Sequence, residues 1–172
     1  MKKIQRILAA IDLSSYSKEI LAQATRLARS MDARVIIANV INKRDIEVVK
    51  EVYKPMTEHY ASPYSSVYLS LERYVEDVKQ KRREHILGLI EEVEAGDVIE
   101  EILFSIGVPF DELITLAESH NVDLIVIGPK GRTDLPHTLF GTTAEKMFRH
   151  CPLPMLSVRT GDFPEALVKA EN

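Results

Sequence analysis

Five short apolar runs punctuate the chain: Ile7–Ile11, Val35–Val40, Val98–Phe104, Leu124–Ile127 and Met155–Val158. Most are continuous rather than alternating, which is the pattern of parallel strands covered on both faces. Between them the apolar positions take up helical spacing. Ile20, Leu21, Ala24, Leu27, Ala28 and Met31 form one stripe; Val75, Val78, Ile86, Leu89, Ile90 and Val93 form a second. Phe110, Leu113, Ile114 and Ala117 form a third, after Gly107-Val-Pro109, whose proline suits the first turn of a helix. Strand–helix alternation implies right-handed crossovers and an α/β fold built on an open, doubly wound parallel sheet.

The pattern breaks between Asn42 and about Ser70. This stretch carries Pro55, Pro63 and the tyrosines Tyr53, Tyr60, Tyr64 and Tyr68, and it joins the second strand to the long helix. A connection of this length is functional, partly helical or mobile. Asp45–Tyr53 predicts a short helix, and Ala61–Ser66 a turn or loop. After Thr160 the chain becomes a polar tail, expected to be loosely ordered. The organisation predicted is one domain over 1–160 with a variable insertion at about 42–70, followed by a tail over 161–172. A chain of 172 residues is long enough for such a domain to bury a real core.

Charge and cysteine content narrow the partners. The net charge of −4 comes without a basic stripe, so nucleic acid is not expected as the main partner. The cluster Lys79-Gln-Lys81-Arg82-Arg83 lies beside Glu76, Asp77 and Glu84 and reads as a solvated helix face. The lone Cys151 excludes an intramolecular disulfide and a cysteine-rich zinc site, and reads as a small buried apolar residue. His59, His85, His120 and His150 show no metal-ligand spacing, so no protein-built metal site is expected. No apolar run reaches membrane-spanning length, and Met1-Lys2-Lys3-Ile4 leads into a strand without a signal-cleavage pattern. The expected location is cytoplasmic, with no membrane partner.

The candidate chemistry lies between the fourth strand and the last helix. Gly128-Pro-Lys-Gly131 follows the apolar run Leu124–Ile127; nine residues later, Gly141-Thr142-Thr143 opens the helical pattern Ala144–Arg149. Glycines let a backbone approach an anion, and a helix start presents unpaired N–H groups at a positive dipole end. In a sheet of order 3-2-1-4-5 the first and fourth strands flank the ligand crevice, so Asp12 should face this loop. Plainer readings stay open for each part. Gly128 can simply end a strand, and Gly131 can serve a turn. Thr142 and Glu145 make a capping-box pattern that needs no ligand. Asp12 can fix the turn into a helix beginning near Ser14–Ser15. Lys130 and Arg132 could lend positive charge to phosphates or be merely solvated, and His137 could approach a phosphate or have no role. The chain has no Gly-x-x-x-x-Gly-Lys-Ser/Thr loop, no Gly-x-Gly-x-x-Gly after the first strand and no Gly-x-Ser-x-Gly elbow. No base is paired with a nucleophile, and no catalytic residue is assigned.

The spacing Gly-x2-Gly-x9-Gly-Thr resembles the nucleotide loop of the universal stress protein family. Arg6–Ser15 resembles that family's first strand with its terminal aspartate, Val35–Ile41 its second strand, and Leu124–Val158 its closing strand–loop–helix–strand unit. The resemblance covers about Lys3 to Arg159 apart from the middle segment. It implies an adenine nucleotide alpha hydrolase-like fold, with five parallel strands in the order 3-2-1-4-5 and helices on both faces. It also implies ATP as cofactor, alone or with Mg²⁺ or Mn²⁺. By position, Asp12 and the backbone of Val40 would hold the nucleoside end, beside the small residue Ala10. Ile127, Gly128 and Gly131 would line the ribose and first phosphates, with Arg132 nearby. Gly141, Thr142 and Thr143 would receive the remaining phosphates. Thr142 stands where serine is more usual, Ala144 lacks a hydroxyl that some ATP-binding relatives carry, and Pro129 removes one N–H donor. The family further implies a homodimer through the edge strand 155–158, whose unpaired backbone groups need a partner. The leading expectation is therefore a cytoplasmic ATP-binding stress or signalling protein acting through nucleotide-dependent conformation or partner binding. The alternatives are a nucleotide-free dimeric interaction module and, ranked last, a slow ATPase.

Overall fold

The computed structural model describes the backbone of residues 3–58, 66–131 and 140–159. The chain runs β1 (Arg6–Ala10), α1 (Ser17–Met31), β2 (Arg34–Asn42), α2 (Lys43–Glu58), α3 (Ser66–Glu92), β3 (Ile99–Gly107), α4 (Pro109–Ser119), β4 (Leu124–Ile127), α5 (Thr142–His150) and β5 (Met155–Ser157). The five strands form one sheet in the order β3-β2-β1-β4-β5, with every pairing parallel. This is the predicted order. It places the point where the strand order reverses between β1 and β4, where a ligand crevice belongs.

Alternation along β1 explains why its apolar run is continuous. Ile7, Ala9 and Ile11 point into one core layer, packed with Ile20, Leu21, Ala24 and Ala28 of α1 and Ile86 of α3. Leu8 and Ala10 point into the other, with Leu113 and Ala117 of α4 and Met147 of α5. Both faces are dry, so neither parity of the strand can be polar. Pro109 occupies the first turn of α4 as its position predicts.

Four expectations change. The stretch from Asn42 to Ser70 is largely helical: α2 runs past Pro55 to Glu58, and α3 has already begun at Ser66. The third strand reaches Gly107 instead of stopping at Phe104, because Val40, Ile41 and Asn42 of β2 pair with Ser105, Ile106 and Gly107. The first helix starts at Ser17, later than Ser14–Ser15. Cys151 is half-buried, against the second core layer rather than within it. The turn expected over Ala61–Ser66, apart from Ser66 itself, and the tail over 161–172 lie outside the described residues.

Candidate functional site

The chain leaves β1 through a turn held by its own aspartate. Asp12 Oδ1 accepts the Ser14 N–H at 3.0 Å, and the Ser17 hydroxyl lies 3.5 Å from the same oxygen. The turn needs such a fastener, because Leu13 sits at φ 65°, a left-handed conformation unfavourable for a residue with a branched side chain. The plainer reading of Asp12, as the residue that fixes this turn, is therefore correct as far as Oδ1 goes. Its second oxygen faces elsewhere.

That oxygen points at the glycine loop after β4. A β-carbon placed on Gly131 would lie 2.7 Å from Asp12 Oδ2, so that the carboxylate or the loop would have to shift. The loop is closed on itself by Gly141, whose N–H donates to the Pro129 carbonyl at 2.7 Å. A β-carbon on Gly141 would face Lys130 Cα at 3.4 Å and Gly131 N at 3.6 Å. Gly128 is packed against α1, with the Ile20 Cδ1 and Tyr16 Cβ atoms 3.1 and 3.3 Å from where its β-carbon would be. Asp12, Gly128, Gly131 and Gly141 thus converge from opposite ends of the chain.

The start of α5 corrects the capping-box reading. Gly141, not Thr142, is the N-cap; it is extended at φ −78°, ψ 161°, and no side chain caps the helix. Thr142 is the first helical residue, and Glu145 turns instead to Arg149, 2.9 Å away. A helix start capped only by glycine keeps its first N–H groups without an intrahelical acceptor, aimed along the axis toward the loop. Two features suit an anionic ligand, the glycine cap and the Ser14 hydroxyl, buried without a hydrogen-bond partner; the Asp12 carboxylate at Gly131 suits a hydroxyl donor instead.

Ala10 is buried at the end of β1, in register with Ala38. Val40 is half-buried near the end of β2. Because β1 lies between β2 and β4, Val40 and Ile127 stand two strand spacings apart across the sheet, roughly 10 Å, and are offset along it by about two residues. Arg132 and His137 lie outside the described residues.

Two residues that the sequence reading passed over join this site. Asn39 is fully buried, and its Nδ2 donates to the Ile11 carbonyl at 2.7 Å. Arg82 of α3 donates from Nη1 to Asn39 Oδ1 at 2.9 Å, and the same nitrogen stands 3.4 Å from the Val40 carbonyl. Arg82 is therefore not part of a purely solvated face. The signal was present: Val78, Arg82 and Ile86 share helical spacing, and Asn39 is the polar residue within the apolar run Val35–Ile41.

At the far side of the sheet β5 is an edge strand, with Leu156 37% exposed and Phe148 of α5 47% exposed. Phe148 packs edge-on against Phe140, ring centroids 5.4 Å apart, and the Arg159 guanidinium covers Phe140 at 5.3 Å.

Comparison with known proteins gives a consistent picture. The universal stress protein MJ0577 of Methanocaldococcus jannaschii is 24% identical over 161 residues, covering 90% of this chain and 94% of that protein. Its solved structure superposes with a TM-score of 0.72 at 21% identity, over 94% of this chain and 100% of that one. A universal stress protein in complex with cAMP gives a TM-score of 0.54 at 19% identity, over 92% and 98% of the two chains. One from Archaeoglobus fulgidus in complex with dAMP gives 0.53 at 15% identity, over 92% and 100%. Residues 3–159 match the Universal stress protein family, and the chain belongs to that family.

Proposed function

We propose that this protein binds an adenine nucleotide, ATP, in the crevice between Asp12 and the Gly128–Thr143 loop. It would act in stress response or signalling through the conformation or partner choice that the nucleotide sets. The observation that carries this reading is the approach of Asp12 Oδ2 to Gly131, 2.7 Å from where a β-carbon would stand, with the glycine-capped start of α5 beside it. Support comes from the two related structures holding cAMP and dAMP. The nucleoside would lie along Ala10, Asp12 and Val40, the ribose and first phosphates along Ile127, Gly128 and Gly131, and the remaining phosphates at Gly141, Thr142 and Thr143. Among the described residues no three His, Cys, Asp or Glu side chains converge, so Mg²⁺ or Mn²⁺ would arrive with the phosphates. The setting proposed is the cytoplasm; among the described residues no helix is long and apolar enough to cross a membrane.

Titration calorimetry of nucleotide-free protein with ATP, with and without Mg²⁺, tests the reading. Saturable heat is expected; its absence, together with no nucleotide released on denaturing freshly purified protein, rejects it. A homodimer through β5 is part of the same proposal, favoured by the exposed Leu156 and Phe148 along an edge strand. If dimers form and no nucleotide binds, the interaction-module reading takes over.

A further inference from the structure

We propose that Arg82 is a positioning residue for the nucleoside end of the crevice, acting through Asn39 to fix the carboxyl ends of β1 and β2 together. The inference rests on the nucleotide reading above. Asn39 sits in a strand whose two faces are both dry, and its side chain is fully buried. A buried amide left unpaired is costly, so its orientation is dictated by the partners available. There is one on each side. The amide nitrogen holds the Ile11 carbonyl at 2.7 Å, and the amide oxygen is held by Arg82 at 2.9 Å.

The partners are what give this arrangement a role. Ile11 immediately precedes Asp12, so the peptide that Asn39 grips is the one that aims the aspartate. Val40 immediately follows Asn39, and its carbonyl also faces Arg82 Nη1, at 3.4 Å. One guanidinium therefore bears on both strand ends where the nucleoside is expected. Arg82 is half-buried, one turn before the fully buried Ile86. A solvated arginine would have no reason to lie on the apolar stripe of α3. Position on that stripe places it against Asn39, and links α3 to the crevice.

The arrangement predicts a split between the two ends of the ligand. Arg82→Met removes the donors while keeping an unbranched apolar stem, and Arg82→Lys keeps the charge and a donor. Each variant would be titrated with ATP and with inorganic tripolyphosphate, which engages only the phosphate end. Arg82→Met is expected to weaken ATP about tenfold or more, as orphaning a buried acceptor implies, with tripolyphosphate unchanged and Arg82→Lys intermediate. An ATP affinity that survives Arg82→Met, or that falls in step with tripolyphosphate, overturns the proposal. Should Arg82→Met not fold, Arg82→Lys carries the same comparison. If the natural protein binds neither ligand, the nucleotide reading fails on its own, and amide hydrogen exchange in ligand-free protein decides this one. Faster exchange at Asp12–Ser14 in the variant, with Gly128–Gly131 unchanged, supports it; equal exchange at Asp12–Ser14 overturns it.

Discussion

Asp12 Oδ2 and Gly131 are so close that a β-carbon on the glycine would stand 2.7 Å from the carboxylate. None of the described glycines has a positive φ, so what Gly131 provides is the lack of a side chain and not an unusual backbone. The contact joins the ends of β1 and β4, which pair directly from Ile7–Leu124 to Ala9–Val126. Any side chain at Gly131 must push the carboxylate or the loop away.

Gly131→Ala is therefore expected to weaken ATP by about tenfold or more, equivalent to about 1.4 kcal/mol, while far-UV circular dichroism stays unchanged. Gly141→Ala should be much milder, because the nearest atom to its β-carbon is Lys130 Cα at an ordinary 3.4 Å. Calorimetric titration of the two variants side by side checks the order.

Asp12 has one oxygen for the turn and one for the crevice, and two substitutions separate them. Asp12→Asn can keep an acceptor for the Ser14 N–H and should leave the urea midpoint nearly unchanged, while lowering ATP affinity. Asp12→Ala loses both functions and should cost about 1 kcal/mol of stability as well. Equal destabilisation by both would show that the charge itself holds the turn.

Leu21 is fully buried between α1 and the sheet, away from the loop backbone. Leu21→Ala should lower unfolding free energy by about 2–5 kcal/mol, with an unchanged denaturant slope. Nucleotide affinity, measured well below the midpoint, should hold.

Arg29 grips Asp97 in a two-pronged pair, Nη2 to Oδ1 at 2.6 Å and Nε to Oδ2 at 3.1 Å. The hydrogen bonds and charge of Arg29 hold the Asp97 carboxyl below its ordinary value of 3.8. A carboxyl with a depressed folded-state pKa contributes stability above the unfolded-state value and loses it as pH falls through the folded one. Asp97→Asn should accordingly flatten the stability profile below about pH 4, with only a small effect at neutral pH because the pair is exposed. Urea melts at pH 3 and pH 6, at low and high salt, read this out.

Leu156→Arg places a charge on the outer edge strand without touching the crevice. Sedimentation velocity should show loss of the dimer, and ATP titration an unchanged affinity. A protein that is monomeric before the substitution removes the edge-strand proposal.

The strands and the doubly wound fold class were legible because each apolar run is short, continuous and separated by a helical stripe; the strand order followed from the family resemblance. The helix through Pro55 was not, since a proline inside a helical segment normally marks its end. The N-cap was misplaced for a different reason. Thr142 has the side chain that caps helices, but Gly141 has the extended backbone, and backbone geometry determines which residue is the cap. Asn39 and Arg82 were each visible as a polar residue in an apolar pattern, yet neither is informative singly. Only the fold brings the interruption in β2 opposite the one in α3.

The hydrogen bond from Gly141 to Pro129 makes the two feet of the loop neighbours whatever lies between them. Closing a chain segment depends only weakly on its length, with each doubling adding about 0.6 kcal/mol. The feet at Pro129 and Gly141 are thus held together by their own backbone, at a cost that the exact count of residues between them changes little. The glycine cap of α5 is set beside Gly131 by the two ends of the loop.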